Sequence, residues 1–330
     1  MLTQNWLYLS LPVHLRQSSK MILWFKKFFL RNGIVLSLYM LLMTFTWIVV
    51  MFVLPQVFMF DFSFRFNWTQ IDPSKIGGPE DVYTLQHYKF LLFGSPNNPD
   101  PFNVVDVTVF GRTILAAIFV TLFDLILCYP VAYYLAQVAK GGITRLMMLS
   151  LIIPFWINEL LRAFAFRILF GEEGTINNVL LYLGILDQPI DYVRENIALY
   201  AGLGYAYILL MIFPIYNAVE SLDRNQIEAA RDLGSPWWRI HWRVVIPFAK
   251  PGITSGCTMV FMLSAGALAL PQIIGGPSSL WFTQIIYQWF NTGSNWPRGS
   301  AYAMSLLVIC VIFVLLIMKI FKVKFGEIGR

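Results

Sequence analysis

The polar side chains with the most distinctive spacing in this chain lie in a single segment, residues 228–234. The segment reads Glu-Ala-Ala-Arg-Asp-Leu-Gly, and Pro247 follows thirteen positions after its glycine. Small alanines permit the close approach of another surface, and the charged side chains beside them can form charge-assisted hydrogen bonds at the rim of that contact. The pattern favours binding of another protein over catalysis.

The residues around this segment predict two short helices with a break between them. Asp223 or Asn225 can cap the first helix, and Gly234 can adopt the left-handed conformation that ends it. The pair Ser235-Pro236 is expected to supply the N-cap and first residue of the second helix, which Pro247 is expected to close. A kinked surface of this kind is suited to fit into a groove of a partner.

The remainder of the chain is far more apolar than a soluble domain. Hydrophobic residues make up 58% of its 330 residues and charged residues 13%, whereas soluble domains carry about 25% charge. Six apolar stretches reach the roughly 20 residues that a helix needs to cross a bilayer. The expected fold class is an all-α polytopic membrane protein with spans at 34–58, 108–136, 146–169, 196–217, 252–272 and 301–321. Pro154 and several polar residues interrupt the third stretch.

Basic residues are distributed unevenly among the segments that join these spans. Sixteen of the 24 lysines and arginines fall in the N-terminal region, residues 137–145, residues 218–251 and the C-terminal residues from 319 onward. Because cytoplasmic loops carry an excess of basic residues, both termini and the 218–251 loop are expected in the cytoplasm. The N-terminal region is expected to lead into an uncleaved anchor rather than a cleaved signal peptide, with Met1 or Met21 as the start.

The predicted spans divide the chain into five parts, with no repeat of the kind that builds many secondary transporters. These parts are a cytoplasmic N-terminal segment (1–33), a first transmembrane anchor (34–58), an extracytoplasmic loop (59–107), a core of five transmembrane helices (108–321) with the cytoplasmic loop 218–251, and a cytoplasmic tail (322–330). In the last outer loop, residues 280–290 are apolar but too short to span, which predicts a re-entrant or surface helix. Trp281, Trp289 and Trp296 in this loop fit either an interfacial aromatic belt or a docking surface for an extracytoplasmic partner.

Two carboxylates lie within the predicted spans, where charge is costly and raises a question of function. Asp124 is near the middle of the second span and Glu159 lies in the third, three positions after Trp156. These residues can line a water-filled path and attract a polycation, with the indole offering a cation–π face. Alternatively, Glu159 and Arg162 neutralise each other as an i, i+3 pair, and Asp124 bonds to polar groups of neighbouring helices.

The usual signs of enzymatic chemistry are absent from the sequence. The three histidines, His14, His87 and His241, are scattered, and the three cysteines lie in apolar stretches without metal-ligand spacing. No Gly-x4-Gly-Lys-Ser/Thr phosphate loop occurs. Neither an enzyme nor a bound cofactor is therefore expected.

The 218–251 loop resembles the motif of binding-protein-dependent ABC importer permeases. That motif reads Glu-Ala-Ala, three residues, Gly, nine residues, an aliphatic residue, a spacer, another aliphatic residue and Pro. The matching residues in this chain are Glu228, Ala229, Ala230, Gly234, Val244, Ile246 and Pro247. Valine and isoleucine replace the commoner isoleucine and leucine, but the spacing and the position between the fourth and fifth spans are those of the family.

Further segments are similar to the permeases of the spermidine/putrescine type. They are Ile153–Trp156, Leu161–Phe166, Pro251–Ile253, Pro271–Gly276 and Asn295–Ser300. The resemblance covers roughly residues 100–320 and implies a polyamine as solute. Related permeases carry opines, thiamine, ferric ion or phosphonates, so the solute stays open.

The resemblance implies a type I ABC importer permease fold in the bacterial cytoplasmic (inner) membrane. It implies four further proteins as partners: a second permease subunit, two ATPase subunits that hydrolyse ATP, and an extracytoplasmic solute-binding protein. The residues expected to couple to the ATPase are Glu228, Ala229, Ala230, Asp232, Gly234 and Pro247. Trp237, Trp238 and Trp242 can anchor the second helix at the lipid interface, and nucleic acid is not an expected partner. A secondary transporter or channel would share the composition but has no need of this motif.

Overall fold

The computed structural model describes residues 33–68, 73–75, 78, 81–95 and 102–323. Within these ranges the regular structure is helical, and the helices are joined by turns and loops, with one isolated antiparallel bridge between Arg65 and Tyr83. The α-helices are α1 (Ile34–Ile48), α2 (Leu54–Phe64), α3 (Gln86–Phe93), α4 (Val104–Tyr133), α5 (Gly142–Phe155), α6 (Glu159–Leu169), α7 (Thr175–Tyr182), α8 (Ile197–Glu220), α9 (Arg224–Asp232), α10 (Trp237–Ile240), α11 (Ile246–Ala265), α12 (Ala269–Ile274), α13 (Phe282–Asn291) and α14 (Trp296–Phe321). A 3-10 turn spans Pro73–Lys75, and π turns span Val49–Val53, Tyr134–Val138 and His241–Val245.

The chain divides into two compact units, residues 1–61 and 62–330. In the first unit, α1, a π turn and most of α2 continue one another as a helix that is long and apolar enough to cross a membrane. This helix continues past residue 58, where the first span was predicted to end. Its π turn stands just before Pro55. Proline lacks an N–H and crowds the carbonyl four residues earlier, and a widened turn at that carbonyl accommodates both effects.

Three long helices, α4, α8 and α11, pack on one another at the centre of the second unit. Small residues allow the closest approaches. A Cβ on Gly252 would lie 2.3 Å from the carbonyl oxygen of Pro214, and one on Gly256 would lie 2.9 Å from the sulfur of Met211. Glycine at such contacts lets helix backbones meet, as is usual where helices associate in membranes.

The predicted third span is broken rather than straight. Helices α5 and α6 meet at an angle of 93° across a short break. Pro154 lies in the last turn of α5, and the side chain of Asn158 accepts a hydrogen bond from the N–H of Leu160 at 2.8 Å, which caps α6. The same residues that interrupt the apolar pattern therefore end one helix and start the next.

The fifth span begins earlier than its apolar stretch predicted. A continuous helix runs from Trp237 through a π turn to Ala265, so the prediction that Pro247 closes the second short helix is wrong. Pro247 follows the π turn by two residues, as Pro55 follows the π turn in the first unit. The widened turn again accommodates the proline. At its other end α11 stops at Ala265, and α12 follows after a break.

The outer loops contribute helices that pack onto this core. The apolar run at 280–290 forms α13, as predicted. Trp281, however, is buried, and its indole N–H donates to the carbonyl oxygen of Ser264 at 3.2 Å. This tryptophan therefore belongs to the core and to neither predicted surface. In α3, burial lowers the pKa of His87, whose Nε2 is 3.0 Å from the carbonyl oxygen of Arg65.

Candidate functional site

The most distinctive surface of the chain is formed by α9 and α10, here called the α9–α10 segment (residues 224–240). Asp223 is the N-cap of α9, since its side chain accepts a hydrogen bond from the N–H of Asn225 at 3.0 Å. Gly234 has φ +73°. Its N–H bonds to the carbonyl of Arg231, and that of Ser235 bonds to the carbonyl of Ala230. These two bonds form the Schellman end of a helix, which confirms the predicted break.

The second helix starts one residue later than predicted. Pro236 is the N-cap residue of α10, and Trp237 is the first helical residue. No side-chain bond from Ser235 caps this helix. Pro236 has ψ 151°, an extended conformation outside the helix, so the prediction of Ser235 as N-cap and Pro236 as first residue was wrong by one position.

The two faces of the α9–α10 segment differ in burial. Ile227 and Ile240 are buried in the main core, and Ala230 packs against it. The predicted contact residues Glu228, Ala229, Asp232 and Gly234 are exposed. Leu233 projects beside them at the break with 86% of its surface exposed. At its break the segment therefore presents charged groups and the apolar side chain of Leu233 on an otherwise anchored element.

Hydrogen bonds connect the residues that flank this segment to α4 and to the π turn that continues it. The side-chain amide of Gln137, at the end of α4, donates to the carbonyl oxygens of Val219 at 2.7 Å and Leu222 at 3.2 Å. Across the segment, His241 Nδ1 is 2.8 Å from the hydroxyl of Tyr129 on α4, and the His241 ring packs edge-on at 4.4 Å from that of Tyr133. The residues on both sides of the segment are therefore tied to the end of α4.

The three residues predicted to line a solute path occupy different environments. Asp124 is 1% exposed and lies where α4 meets α8, because a Cβ on Gly204 would come 2.9 Å from its Oδ1. In the described part of the chain its Oδ2 has no hydrogen-bond partner. Trp156 is 82% exposed at the α5–α6 break. Glu159 begins α6 and is half-buried.

The predicted neutralising pair of Glu159 and Arg162 does not form. Glu159 Oε1 accepts a hydrogen bond from the hydroxyl of Tyr207 at 3.3 Å. Arg162 instead donates to the carbonyl oxygen of Ala206 at 3.3 Å and lies 5.4 Å from the centre of the Phe155 ring. Glu159 and Arg162 are thus both held by α8, and among the described residues no cationic group lies at ion-pair distance from the Glu159 carboxylate.

Sequence reasoning missed a second group of residues, which holds the turn between α12 and α13. Arg167 donates to the carbonyl oxygen of Ile273, and Arg112 donates to that of Ser278. The side chain of Asn196 bonds to the Ser278 hydroxyl at 3.2 Å. An open cavity of about 490 Å³ lies beside this turn. The signal available in the sequence was two arginines within spans and a Gly-Gly-Pro turn.

The broken helices come together in space, since α6 packs against α12. Non-helical backbone at membrane depth is tolerated only where protein buries it or where it lines a water-filled cavity. Discontinuous helices also mark solute sites in many transporters. The α6–α12 pair, here called the broken-helix pair, is therefore the candidate lining of a solute path. Trp156 and Glu159 lie where α5 ends and α6 begins. Among the described residues, no group of three His, Cys, Asp or Glu side chains can hold a metal ion.

Residues 112–323 match the family described as "Binding-protein-dependent transport system inner membrane component". The spermidine/putrescine transport system permease protein PotB of Salmonella typhimurium (strain SL1344) is 32% identical over 270 residues, covering 82% of this chain and 88% of that protein. PotB of Escherichia coli (strain K12) is 32% identical over 263 residues, covering 80% of this chain and 90% of that protein.

A chain of a bacterial ABC transporter involved in the import of the acidic polysaccharide alginate has a TM-score of 0.67 at 16% identity, covering 91% of this chain and 98% of that chain. At that identity the likeness concerns the fold alone. This chain belongs to the family of binding-protein-dependent transport system inner membrane components, and its fold is that of a type I ABC importer permease.

Proposed function

We propose that the α9–α10 segment receives the motion of two ATPase subunits and transmits it to the spans of this permease. The observation that carries the proposal is its combination of an exposed charged face with a buried anchor. Glu228 and Asp232 are exposed and suit charge-assisted contacts, while Ala229 permits close approach. Ile227 and Ile240 sit in the main core, so force applied to the exposed face moves the helices.

The proposed mechanism is mechanical. Closure of the ATPase pair displaces the α9–α10 segment, and the hydrogen bonds of Gln137 and His241 carry this displacement to α4 and α8. A ligand or partner shifts a two-state element only by contacts that differ between the states. Coupling therefore requires that the segment contacts the ATPase differently in the outward-open and inward-open conformations. The π turn accommodates Pro247 and thereby leaves the segment continuous with α11.

We propose a polyamine as the transported solute. Two relatives at 32% identity are named as spermidine/putrescine permeases, which supports this class over opines, thiamine, ferric ion and phosphonates. The half-buried carboxylate of Glu159 and the exposed indole of Trp156 offer an ammonium group a negative charge and a π face. Asp124 is enclosed between α4 and α8, so in the proposal it reaches the solute only when these helices separate.

The proposed assembly contains a second permease subunit, two ATPase subunits and an extracytoplasmic solute-binding protein in the bacterial inner membrane. Both termini and the α9–α10 segment face the cytoplasm, which the excess of basic residues in the corresponding loops supports. ATP is hydrolysed by the separate subunits, since the sequence contains no phosphate loop.

The experiment is uptake by proteoliposomes that contain the assembled transporter and its binding protein. Labelled spermidine and putrescine are supplied outside and ATP inside, with thiamine and an opine as competitors. Uptake that requires ATP and is inhibited by unlabelled polyamine only is expected. ATP-independent uptake contradicts the importer, and inhibition by another competitor alone contradicts the polyamine.

A further inference from the structure

A cavity of about 290 Å³ opens between the end of α4 and the α9–α10 segment. Three basic side chains line it: Lys140 just beyond α4, and Arg224 and Arg231 on α9. Tyr133 and Gln137 form part of its wall. Glu228 belongs both to this cavity and to the proposed ATPase contact, but that contact gives no reason for three basic side chains around one concave site.

The cations of this cavity lack a neutralising partner. Within the part of the chain that the structure describes, Lys140, Arg224 and Arg231 have no carboxylate at ion-pair distance and no side-chain hydrogen bond. Glu228 also lines the cavity, which leaves three positive charges against one negative charge. A concave surface with charge of one sign concentrates ligands of the opposite sign. The cavity therefore favours an anion.

The Gln137 side chain adds a requirement to that anion. Its Nε2 donates hydrogen bonds to the carbonyl oxygens of Val219 and Leu222. Its Oε1 is buried and has no hydrogen-bond partner among the described residues. Gln137 is one of the residues that line the cavity, and a buried acceptor without a donor is costly, so a ligand hydroxyl that donates to this oxygen would be stabilised.

Aromatic residues indicate the depth of the cavity in the membrane. Its wall residue Tyr133 packs on His241, and the His241 ring also packs edge-on against that of Trp237, with the ring centres 5.6 Å apart. Trp237, Trp238 and Trp242 are all exposed. Exposed tryptophans are enriched at the level of lipid headgroups, and basic pockets between helices on the cytoplasmic side bind anionic headgroups.

We propose that this cavity binds a phosphate group with an adjacent hydroxyl, supplied by an anionic phospholipid such as phosphatidylglycerol or by free phosphate. Its cytoplasmic placement rests on the orientation in the proposed function. The bound phosphate contacts Lys140 from the α4 end and Arg224 and Arg231 from α9. It thereby joins the α9–α10 segment to the second span and stiffens the connection through which force passes.

The test is native mass spectrometry of the purified, delipidated transporter with added phosphatidylglycerol or phosphatidylcholine. The choline lipid has a phosphodiester but neither net charge nor hydroxyl. The Lys140→Gln/Arg224→Gln double variant is expected to weaken phosphatidylglycerol binding by about tenfold or more, as loss of two charge-assisted contacts implies. The matched control Arg145→Gln/Arg239→Gln removes two basic side chains outside the cavity and is expected to bind as the wild type does.

Inorganic phosphate provides the second arm. Displacement of the lipid by millimolar phosphate, with the same dependence on Lys140 and Arg224, identifies free phosphate as the source. Lipid binding that resists phosphate identifies the headgroup. The charge-keeping variant Lys140→Arg/Arg224→Lys separates loss of charge from misfolding, and it is expected to retain binding. Equal binding of both ligands to the wild type and the Lys140→Gln/Arg224→Gln variant, or loss of binding in the charge-keeping variant, overturns the proposal. Neither ATP nor a solute is present, so this result is independent of transport.

Discussion

The α9–α10 segment and the broken-helix pair are both interruptions of helical structure, but they are held in opposite ways. The break at Gly234 is closed by local hydrogen bonds to Arg231 and Ala230 and is open to solvent. The turn after α12 is held by Arg112 and Arg167, which reach it from distant parts of the chain. A locally closed break can keep its shape while it contacts a partner. A break closed by distant arginines changes shape when the helices that carry them move, which suits a gate.

The largest effect is expected from Gly234→Pro. Proline forbids the positive φ and removes the N–H that bonds to Arg231. Uptake is expected to fall by about tenfold or more, since each factor of ten requires only about 1.4 kcal/mol of lost coupling, while ATP hydrolysis continues. The measurement is uptake and ATPase activity in the same proteoliposomes.

Gly184→Pro provides the control for that variant. Gly184 also has a positive φ, of 67°, open space around its Cβ position and an N–H bonded to a carbonyl, that of Leu181. It lies after α7, outside the α9–α10 segment. A similar loss of thermal stability with normal coupling is expected. Uncoupling by both variants would show that the effect is one of folding.

The second expected effect is that of Glu228→Lys. Reversal of an exposed charge leaves the fold intact but replaces a favourable contact at the proposed ATPase surface with repulsion. Uptake is expected to fall several-fold, with ATPase activity lost from the assembled complex or no longer stimulated by the binding protein. Glu172→Lys, at another exposed position, should behave as the wild type. Normal stimulation in Glu228→Lys would contradict the coupling role.

Arg167→Met and Arg112→Met test the other side of the comparison. Each removes a charged donor from one backbone carbonyl of the turn after α12, worth about 1 kcal/mol at an exposed site. Each variant is expected to lower uptake about threefold to fivefold, with ATPase activity changed little or raised. Because the arginines hold opposite ends of the turn, the double variant should show at least the product of the single effects. Uptake equal to that of the wild type in the double variant would contradict the role of this turn as a gate.

The carboxylates within the spans should respond differently from each other. Glu159→Gln is expected to raise the KM for spermidine about twofold to fivefold, as loss of one partly exposed charge contact implies. Asp124→Asn should leave KM nearly unchanged and keep the fold stable, because a buried carboxylate without a partner gains nothing from its charge. Unchanged uptake after neutralisation of both residues would exclude a pathway role.

The smallest effects are expected from the two helix caps, which occur one in each region. Asp223→Ala and Asn158→Ala each remove a side-chain acceptor at a helix N-terminus, at a cost of about 1 kcal/mol. The first should reduce coupling and the second should reduce uptake through a higher KM. ATPase and uptake kinetics of the two variants distinguish these outcomes. The same kinetic change in both variants would contradict the proposal that one region couples to the ATPase and the other lines the solute path.

What the sequence revealed in advance depended on the range of the interactions involved. The cap at Asp223 and the turn at Gly234 are formed within a few residues, and their chemistry is visible in the local pattern. Pro247 was wrongly predicted to end a helix, because the π turn just before it accommodates the proline. Trp281 looked interfacial, yet its position depends on a carbonyl seventeen residues earlier.

The broken-helix pair could not be predicted from the sequence, because it too depends on contacts between distant residues. Pro154 and Asn158 indicated that the third span is interrupted, but the angle of the break and its contact with α12 follow from packing of distant segments. The hydrogen bond of Arg112 joins residues 166 positions apart. No periodicity or spacing in a single sequence predicts a contact of that separation.

Site-directed cross-linking at the tip of the α9–α10 segment tests the central claim most directly. Leu233→Cys places a thiol on the most prominent exposed side chain of the break, while the native Cys128 and Cys257 are buried. In the assembled transporter a short bifunctional reagent is expected to link position 233 to an ATPase subunit in every stage of turnover, whereas Tyr182→Cys, equally exposed, should not be linked. A thiol at position 233 that reacts freely with a water-soluble reagent throughout turnover, and never joins another polypeptide, would contradict the account.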